Sequence, residues 1–437
     1  MGAHAVVIPY PGRGHVNPMM QLALKLASHG IPVTFVVTES WNKIVTQAEE
    51  NPFTHDRNFR AALIPDCVVG ESQRAQNFTG FFHSLSNMEA HVAQLLTNLN
   101  LSGTPATCIV ADVFLKWVVP FAKTHALQSV SLCPMSATTF SVFYHLDLGL
   151  EGWKEFIAES HPLQPTDLPV DLTPPSPLGN EIVECFANVR TADWIVVNSF
   201  DDLESKAVEA QRQKTPVHCV GPLNMVSPSQ LNTHCSEWLD SKPARSIIYV
   251  SFGSFHAVGR AQVREIAAGL MKSGCYFMWA LRPDKEANNF SEMLPTGYLE
   301  ECKGQGLIAA WFRQVEVLKH PAVGGFLSHC GWNGVLESLS AGVPMLGFPV
   351  AADQFLNCRM MVEEWKFGLG LKNAEDGNRV IGAEEIESKV KMLMEGEEGV
   401  SARRAAERFR DAAEQGVSKG GDSATNLEAL VNRLKVI

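Results

Sequence analysis

The chain has 437 residues, 46% of them hydrophobic and 19% charged, and a formal net charge of −11. That length accommodates two domains with full cores, and the acidic balance argues against a nucleic-acid surface. No run approaches the roughly 20 apolar residues of a membrane span, and the ten cysteines are scattered without a C-x-x-C pair, which points to reduced thiols rather than a disulfide framework.

The N-terminus enters a strand at residues 4–9 with no basic segment or cleavage site, so no signal peptide is read there. A myristoylation pattern opening at Met1-Gly2 fails because residue 6 is Val rather than Ser or Thr, and a cytoplasmic protein is expected. Residues 10–18 read as a Gly/Pro loop, 19–29 as a helix closed by Gly30, and 31–37 as a second strand, together one βαβ unit. Residues 108–112 form an apolar strand ending in Asp112, with Trp117 beyond it. Six prolines between 161 and 178 mark a surface loop and candidate lid. Residues 217–220 read as a last strand, ended by Gly221-Pro222-Leu223, and a Ser/Asn/Pro-rich linker follows at 224–236. A second unit of the same pattern then opens, with a strand and Gly loop from Ser246 to Ser254, a helix at 261–272, Gly274, and a strand at 276–280. Alternating strands and helices predict parallel sheets with helices on both faces. Residues 425–436 form an amphipathic terminal helix, and no His/Cys/carboxylate cluster has metal-ligand spacing.

Residues 311–354 carry the densest chemistry. Phe326-Leu327 end an apolar run, Ser328-His329-Cys330-Gly331-Trp332-Asn333-Gly334 make a sharp turn, and Val335-Leu336-Glu337-Ser338-Leu339 open a helix. Such a passage points free N–H groups and the positive end of a helix dipole at one spot, where a diphosphate would sit. His329 can donate to a phosphate oxygen, Glu337 can accept from a ribose diol, and Trp311 offers a flat face to a base. Singly, each has an ordinary explanation: a carboxylate favoured near a helix N-terminus, a satisfied buried histidine, a core tryptophan. Their joint spacing weighs against all three together.

This 44-residue segment, from Trp311 to Asp353-Gln354, resembles the C-terminal signature of plant UDP-dependent glycosyltransferases, the family 1 enzymes that glycosylate small molecules. The resemblance implies that Trp311 stacks on uracil, Gln314 lies at the base and ribose, Glu337 binds the ribose, and His329 binds phosphate. It places Asn333 and Gly334 at the diphosphate, supported by Ser254, and Trp332, Asp353 and Gln354 at the donor sugar. It implies an α/β fold of two Rossmann-like doubly wound domains facing each other, the GT-B arrangement. The domains so drawn are 1–223 for the acceptor and catalytic base, the linker 224–236, 237–420 for the UDP-sugar, and a terminal helix in 421–437 crossing back to the first domain. Two departures stand out: Gly334 replaces the family's usual Ser, and Trp311-Phe312-Arg313-Gln314 is an unusual opening.

Residues 9–18, Pro-Tyr-Pro-Gly-Arg-Gly-His-Val-Asn-Pro, are similar to the family's N-terminal Gly-His-x-Asn-Pro loop, whose histidine is the catalytic base. This implies His15 as the base, with Arg13 in place of the commonest Gln. The strand ending in Asp112 resembles the one whose Asp pairs with that histidine. A histidine of ordinary pKa near 6.5 is a weak base for an alcohol, and a carboxylate on its other nitrogen fixes the tautomer and stabilises the imidazolium. The alternative is that Asp112 caps the following helix. A dinucleotide site at Gly12-x-Gly14, with Glu39 closing the second strand, is opposed by Asn17 at the third glycine position, by Pro18 and by the bulk of His15.

The implied reaction is inverting transfer of glucose from UDP-glucose to a hydroxyl, giving a β-glucoside with no metal or cofactor. Gln354 at the signature's end goes with glucose in the family. The expected partners are a UDP-sugar donor and a small-molecule acceptor, with the chain a monomer. Phe78, Phe81, Phe82, Met135, Phe140 and Phe143 point to an apolar, aromatic acceptor, against the plainer reading that they are core. Rival functions are a sugar-nucleotide epimerase, which lacks the Gly-His-x-Asn-Pro loop and the Asp-Gln ending, and a catalytically silent UDP-sugar or small-molecule binding protein, against which His15 and Asp112 argue.

Overall fold

The computed structural model describes residues 2–46, 56–67, 77–148, 167, 172–225, 233–253, 258–284, 287, 289–371 and 380–436. The chain divides into two units, Met1–Asn224 with Gln415–Ile437, and Met225–Glu414. In the first, strands β1 (Ala5–Ile8), β2 (Val33–Thr38), β3 (Phe59–Ile64), β4 (Cys108–Asp112), β5 (Gln128–Cys133), β6 (Trp194–Val197) and β7 (His218–Cys219) form a parallel sheet in the order β3-β2-β1-β4-β5-β6-β7. In the second, β8 (Ile247–Ser251), β9 (Tyr276–Ala280), β10 (Gly306–Ala309), β11 (Val323–Ser328), β12 (Met345–Gly347) and β13 (Gly368–Gly370) are parallel in the order β10-β9-β8-β11-β12-β13. These are two Rossmann-like doubly wound sheets of the GT-B type. β1, β2, β4, β8 and β11 are buried at every residue, as strands covered by helices on both faces must be.

Strand order reverses between β1 and β4 in one sheet and between β8 and β11 in the other. At such a switch point the connections leave the sheet in opposite directions, and a crevice opens beyond the carboxyl ends of the two strands. The residues that follow β1, β4, β8 and β11 therefore deserve the chemistry.

The helix expected at 19–29 begins earlier, at Arg13, so His15 stands in its first turn rather than on a loop. Gly12 is its extended N-cap, and Pro18 costs it a single internal N–H near the start. Burial of Val16, Met19, Met20, Leu22 and Leu26 outweighs that loss and the weak propensity of Gly14. The helix ends in a Schellman turn: Gly30, at φ +81°, donates to Ala27 O (2.8 Å), and Ile31 donates to Leu26 O (3.1 Å).

Two boundaries differ from the sequence-based division. The helix Thr233–Asp240 begins inside the expected linker, whose residues 226–232 lie outside the described ones. The second unit ends at Glu414 rather than 420, within the helix Glu397–Val417. The last helix, Asp422–Lys435, buries Leu427, Leu430, Val431 and Leu434 in the first unit's core beside Val33, Val196 and Val220. Of the proline-rich stretch, residues 161–166, 168–170 and 171 lie outside the described ones, and Pro177 opens the helix Pro177–Val189, capped by Ser176.

Candidate active site

In the first unit, β1 and β4 deliver two side chains to the switch point. His15 Nδ1 lies 2.8 Å from Asp112 Oδ2. The Asp112 side chain is fully buried, and that of His15 is 21% exposed, so one ring edge reaches solvent while the carboxylate does not. The other carboxylate oxygen, Oδ1, accepts from the Phe114 N–H at 3.0 Å. The local N–H bond and the contact with His15 therefore coexist on one carboxylate, one per oxygen. The Tyr10 ring packs on the imidazole with centroids 4.5 Å apart, and Phe114 meets it edge-on at 5.8 Å.

Aromatic rings continue from this pair. Phe114 contacts Phe82, Phe143 and Phe186, and Phe186 contacts Phe140. Phe81, Phe82, Met135, Phe140 and Phe143 are all buried; the Phe78 side chain lies outside the described residues. The helix Ala137–Tyr144, which carries Phe140 and Phe143, is pinned at its N-terminus by the buried carboxylate of Glu204. Glu204 accepts from Ala137 N (2.7 Å), Thr138 N (2.9 Å) and Thr138 Oγ1 (2.7 Å). On the flank, Lys116 Nζ bridges Glu181 and Glu184 at 2.8 Å each, and His83 Nε2 lies 3.1 Å from Glu181.

In the second unit, the turn after β11 is shorter than the sequence suggested. Only His329, Cys330 (φ +62°) and Gly331 separate β11 from the helix Trp332–Ala341. Asn333 and Gly334 thus belong to its first turn, at the positive end of the helix dipole. The half-buried His329 ring is flanked by two glycines. A Cβ on Gly253, at φ +71°, would stand 2.5 Å from His329 Nε2, and one on Gly331 would stand 2.6 Å from the same atom. Both glycines are needed to admit the ring. Ser254, next in that loop, lies outside the described residues. Arg282, just beyond β9, donates to Gly253 O and brings a cation to this loop. Sequence reasoning missed it, and its position after a buried strand of this half was the available signal.

Glu337 and Gln314 meet: Gln314 Nε2 donates to Glu337 Oε2 at 2.5 Å, and Tyr249 OH donates to Gln314 Oε1 at 3.3 Å. Burial pushes the Glu337 carboxyl up to about 7 against the opposing Gln314 bond, and the charge of Glu316 pushes the same way. Trp311 is 62% exposed, so it is no core residue. Trp332 is buried against Trp365, with centroids 5.8 Å apart, which leaves its backbone rather than its ring for a ligand.

Asp353 stands at the N-cap position of the helix Gln354–Arg359 without a side-chain capping bond, and its carboxylate accepts from Asn357 Nδ2 at 2.8 Å, while Asn357 Nδ2 also donates to Cys330 O at 3.1 Å. Gln354 is buried, and its Oε1 accepts from Val350 N and Ala351 N, both at 2.9 Å. With its oxygen engaged in its own turn, the side chain of Gln354, placed at the donor sugar by the sequence, has its NH2 rather than its oxygen to offer a ligand.

A family model described as UDP-glucoronosyl and UDP-glucosyl transferase matches residues 194–398, and one described as glycosyltransferase, N-terminal domain, matches residues 3–225. UDP-glycosyltransferase 86A1 of Arabidopsis thaliana is 33% identical, over 99% of this chain and 94% of its own length. Gallate 1-beta-glucosyltransferase of Quercus robur is 32% identical, over 99% and 90%. Among solved structures, Os79 from O. sativa in complex with U2F and trichothecene superposes with a TM-score of 0.85 at 28% identity, covering 98% of this chain and 100% of that one. Phytolacca americana UGT2, complexed with UDP-2fluoro-glucose and pterostilbene, gives 0.84 at 26%, covering 99% of each.

Proposed function

This chain belongs to the plant UDP-glycosyltransferase family and is a transferase, and from that premise we propose that it moves glucose from UDP-glucose to a hydroxyl of a small apolar or aromatic acceptor, with inversion. The observation that carries the reading is the 2.8 Å contact between His15 Nδ1 and the buried Asp112 carboxylate. His15 Nε2 removes the acceptor's proton, Asp112 stabilises the imidazolium that forms, and the acceptor oxygen attacks the anomeric carbon opposite the departing UDP. An α-linked donor then yields a β-glycoside.

In the same reading, Trp311 stacks on the uracil, and Gln314 and Glu337 hold the ribose. The first-turn N–H groups at Asn333 and Gly334, with His329 and the Ser254 loop, take the charge of the diphosphate, so the reaction needs no divalent metal. Asp353 accepts from sugar hydroxyls and Gln354 donates to one, with Trp332 offering its backbone. Two similar proteins support the choice of sugar: one is named a 1-beta-glucosyltransferase, and another was solved with UDP-2fluoro-glucose. The rings around His15 support an aromatic acceptor. We take the chain as a cytoplasmic monomer; its ten cysteines are free thiols, which suits a reducing compartment, and among the described residues no helix is long and apolar enough to cross a membrane.

The test is incubation with UDP-glucose and a panel of phenols and alcohols, with and without EDTA, scoring UDP release and glycoside mass. Glycoside matched one-to-one by UDP in both buffers is expected. UDP release without acceptor, or activity abolished by EDTA, would overturn the metal-free transfer.

A further inference from the structure

Phe114 touches both members of the His15–Asp112 pair. Its backbone N–H donates to Asp112 Oδ1 at 3.0 Å, which leaves Oδ2 directed at His15. Its ring meets the imidazole edge-on, with centroids 5.8 Å apart and planes at 61°. Tyr10 covers the imidazole at 4.5 Å and itself contacts Phe114 at 6.1 Å, so the two rings confine the histidine. Phe114 is in turn fixed from three further segments, by Phe82 at 5.7 Å and by Phe143 and Phe186 at 6.1 Å each. Its carbonyl accepts from Cys185 Sγ at 3.5 Å.

An imidazole held by one hydrogen bond still swings about that bond and about its two side-chain torsions. The exchange of a proton with an acceptor depends on the direction of the other nitrogen as well as on its basicity. Rings packed on the imidazole remove the swing. The Asp112 side chain is itself fully buried, so its charge acts on the imidazole with less screening than at the surface.

We propose that Phe114 is a positioning residue for the base: its N–H orients Asp112, and its ring fixes the plane of His15. This rests on the reading of His15 as the base. The role is separable from a wall of the acceptor pocket, because a wall acts on acceptor KM whereas a positioner acts on kcat, and most strongly where the acceptor needs most help in losing its proton.

F114A and F114L both keep the backbone N–H and remove the ring; Leu keeps apolar bulk and is the safer variant for folding. Each is made alone and in a D112A background, with H15A in parallel, and melting temperatures are recorded. Expected for F114A is a kcat lower by about tenfold with an aliphatic alcohol and by less than about threefold with a strongly acidic phenol, with acceptor KM within about twofold. F114L should show the same selectivity with a loss of about threefold, and in the D112A background F114A should cost less than about twofold, since the ring acts through a pair already broken. An unchanged kcat with a raised KM, equal losses for both acceptors, or full additivity with D112A would overturn the proposal. If F114A does not fold, an F114L alcohol-to-phenol ratio equal to the parent's overturns it. Normal alcohol turnover by H15A overturns the base reading itself, whereas a dead H15A beside unaffected Phe114 variants overturns only the role of Phe114.

Discussion

His15 and Glu337 carry the sharpest residue-scale consequences. His15→Ala removes the proposed base and leaves the second unit's ligands untouched. Turnover with ordinary alcohols should fall on the order of 10²-fold or more, with UDP affinity nearly unchanged; very acidic phenols should lose less. Steady-state rates across acceptors of graded acidity check this, and an unchanged kcat with alcohols would remove His15 from the mechanism. Glu337 gives a pH signature. Burial pushes its carboxyl up to about 7, and only the ionised form can accept from both hydroxyls of a ribose. Ligand binding then favours the deprotonated state, so affinity holds above the free pKa and weakens as pH falls below it. Between pH 8 and pH 6 the ionised fraction drops about tenfold, and the affinity for UDP-glucose should drop with it. UDP-glucose is the ligand to titrate, because it has no terminal phosphate to gain a proton in that range. Glu337→Gln should flatten the profile and weaken binding at pH 8; a flat profile in the parent protein would return Glu337 to a purely structural place beside Gln314.

Helix starts and turns decide the next scale. A Cβ on Gly334 would meet Ser328 Oγ at 3.5 Å, Phe326 Cε1 at 3.6 Å and Gln314 Nε2 at 3.7 Å, all ordinary contacts, and its backbone is helical. Gly334→Ser should therefore fold normally and lower the donor KM by a few-fold at most, the worth of one added hydrogen bond. Gly253 is the opposite case, with φ +71° and a Cβ position 2.5 Å from His329 Nε2, so Gly253→Ala should weaken UDP by roughly tenfold or more through backbone strain and a displaced ring. Calorimetric titration of the two variants with UDP separates them; equal behaviour would mean that neither glycine borders the diphosphate. At the helix Gln354–Arg359, the proposed sugar contacts are Asp353 and the Gln354 NH2, and moving one hydroxyl from equatorial to axial would unpair one of them. A lost buried hydrogen bond is worth about 1–3 kcal/mol, so UDP-glucose should outcompete UDP-galactose by roughly tenfold or more at equal concentration. Equal products would sink the glucose assignment. These elements also show what a sequence reveals. β1, β4, β8 and β11 were legible because strands buried on both faces are unbroken apolar runs between turn residues. The start of the helix at Arg13 was not, since Gly12-Arg13-Gly14 and Pro18 have the local chemistry of a loop, and only the burial of Val16, Met19 and Met20 makes a helix of it. In the site, the types and spacing of His15, Asp112, His329 and Glu337 stood in the sequence. The commitment of Gln354 Oε1 to its own turn, the Arg282 bond to Gly253 O and the Phe114 ring on His15 did not, because each depends on partners brought together only by the tertiary fold.

For the whole molecule, the chain path sets the stability of the first unit. The chain leaves that unit after Asn224, builds the second, and re-enters at Gln415. The returning helix Asp422–Lys435 presents Leu427, Leu430, Val431 and Leu434, spaced three and four residues apart on one face, to the core beneath β1 and β2. It also steadies the sheet's edge: Asn426 Nδ2 donates to Cys219 O at 2.9 Å on the two-residue strand β7, whose His218 stacks on Trp194. Burying four such side chains contributes roughly 6–12 kcal/mol before entropy is counted, at about 1.5–3 kcal/mol each. That is the same order as the 5–15 kcal/mol by which a whole domain is stable. A chain ending at residue 417 should therefore lose the first unit's cooperative unfolding, or show it at a much lower temperature. The second unit, whose core contains none of the four residues, should keep its transition and its affinity for UDP within about threefold. Calorimetric scans of the full and shortened chains, each with and without UDP, separate the two transitions, since only the unit that binds UDP shifts upward with ligand. A shortened chain whose first transition is unmoved would show that the returning helix contributes nothing to that core, and loss of UDP binding along with the first transition would show that the two units do not unfold independently.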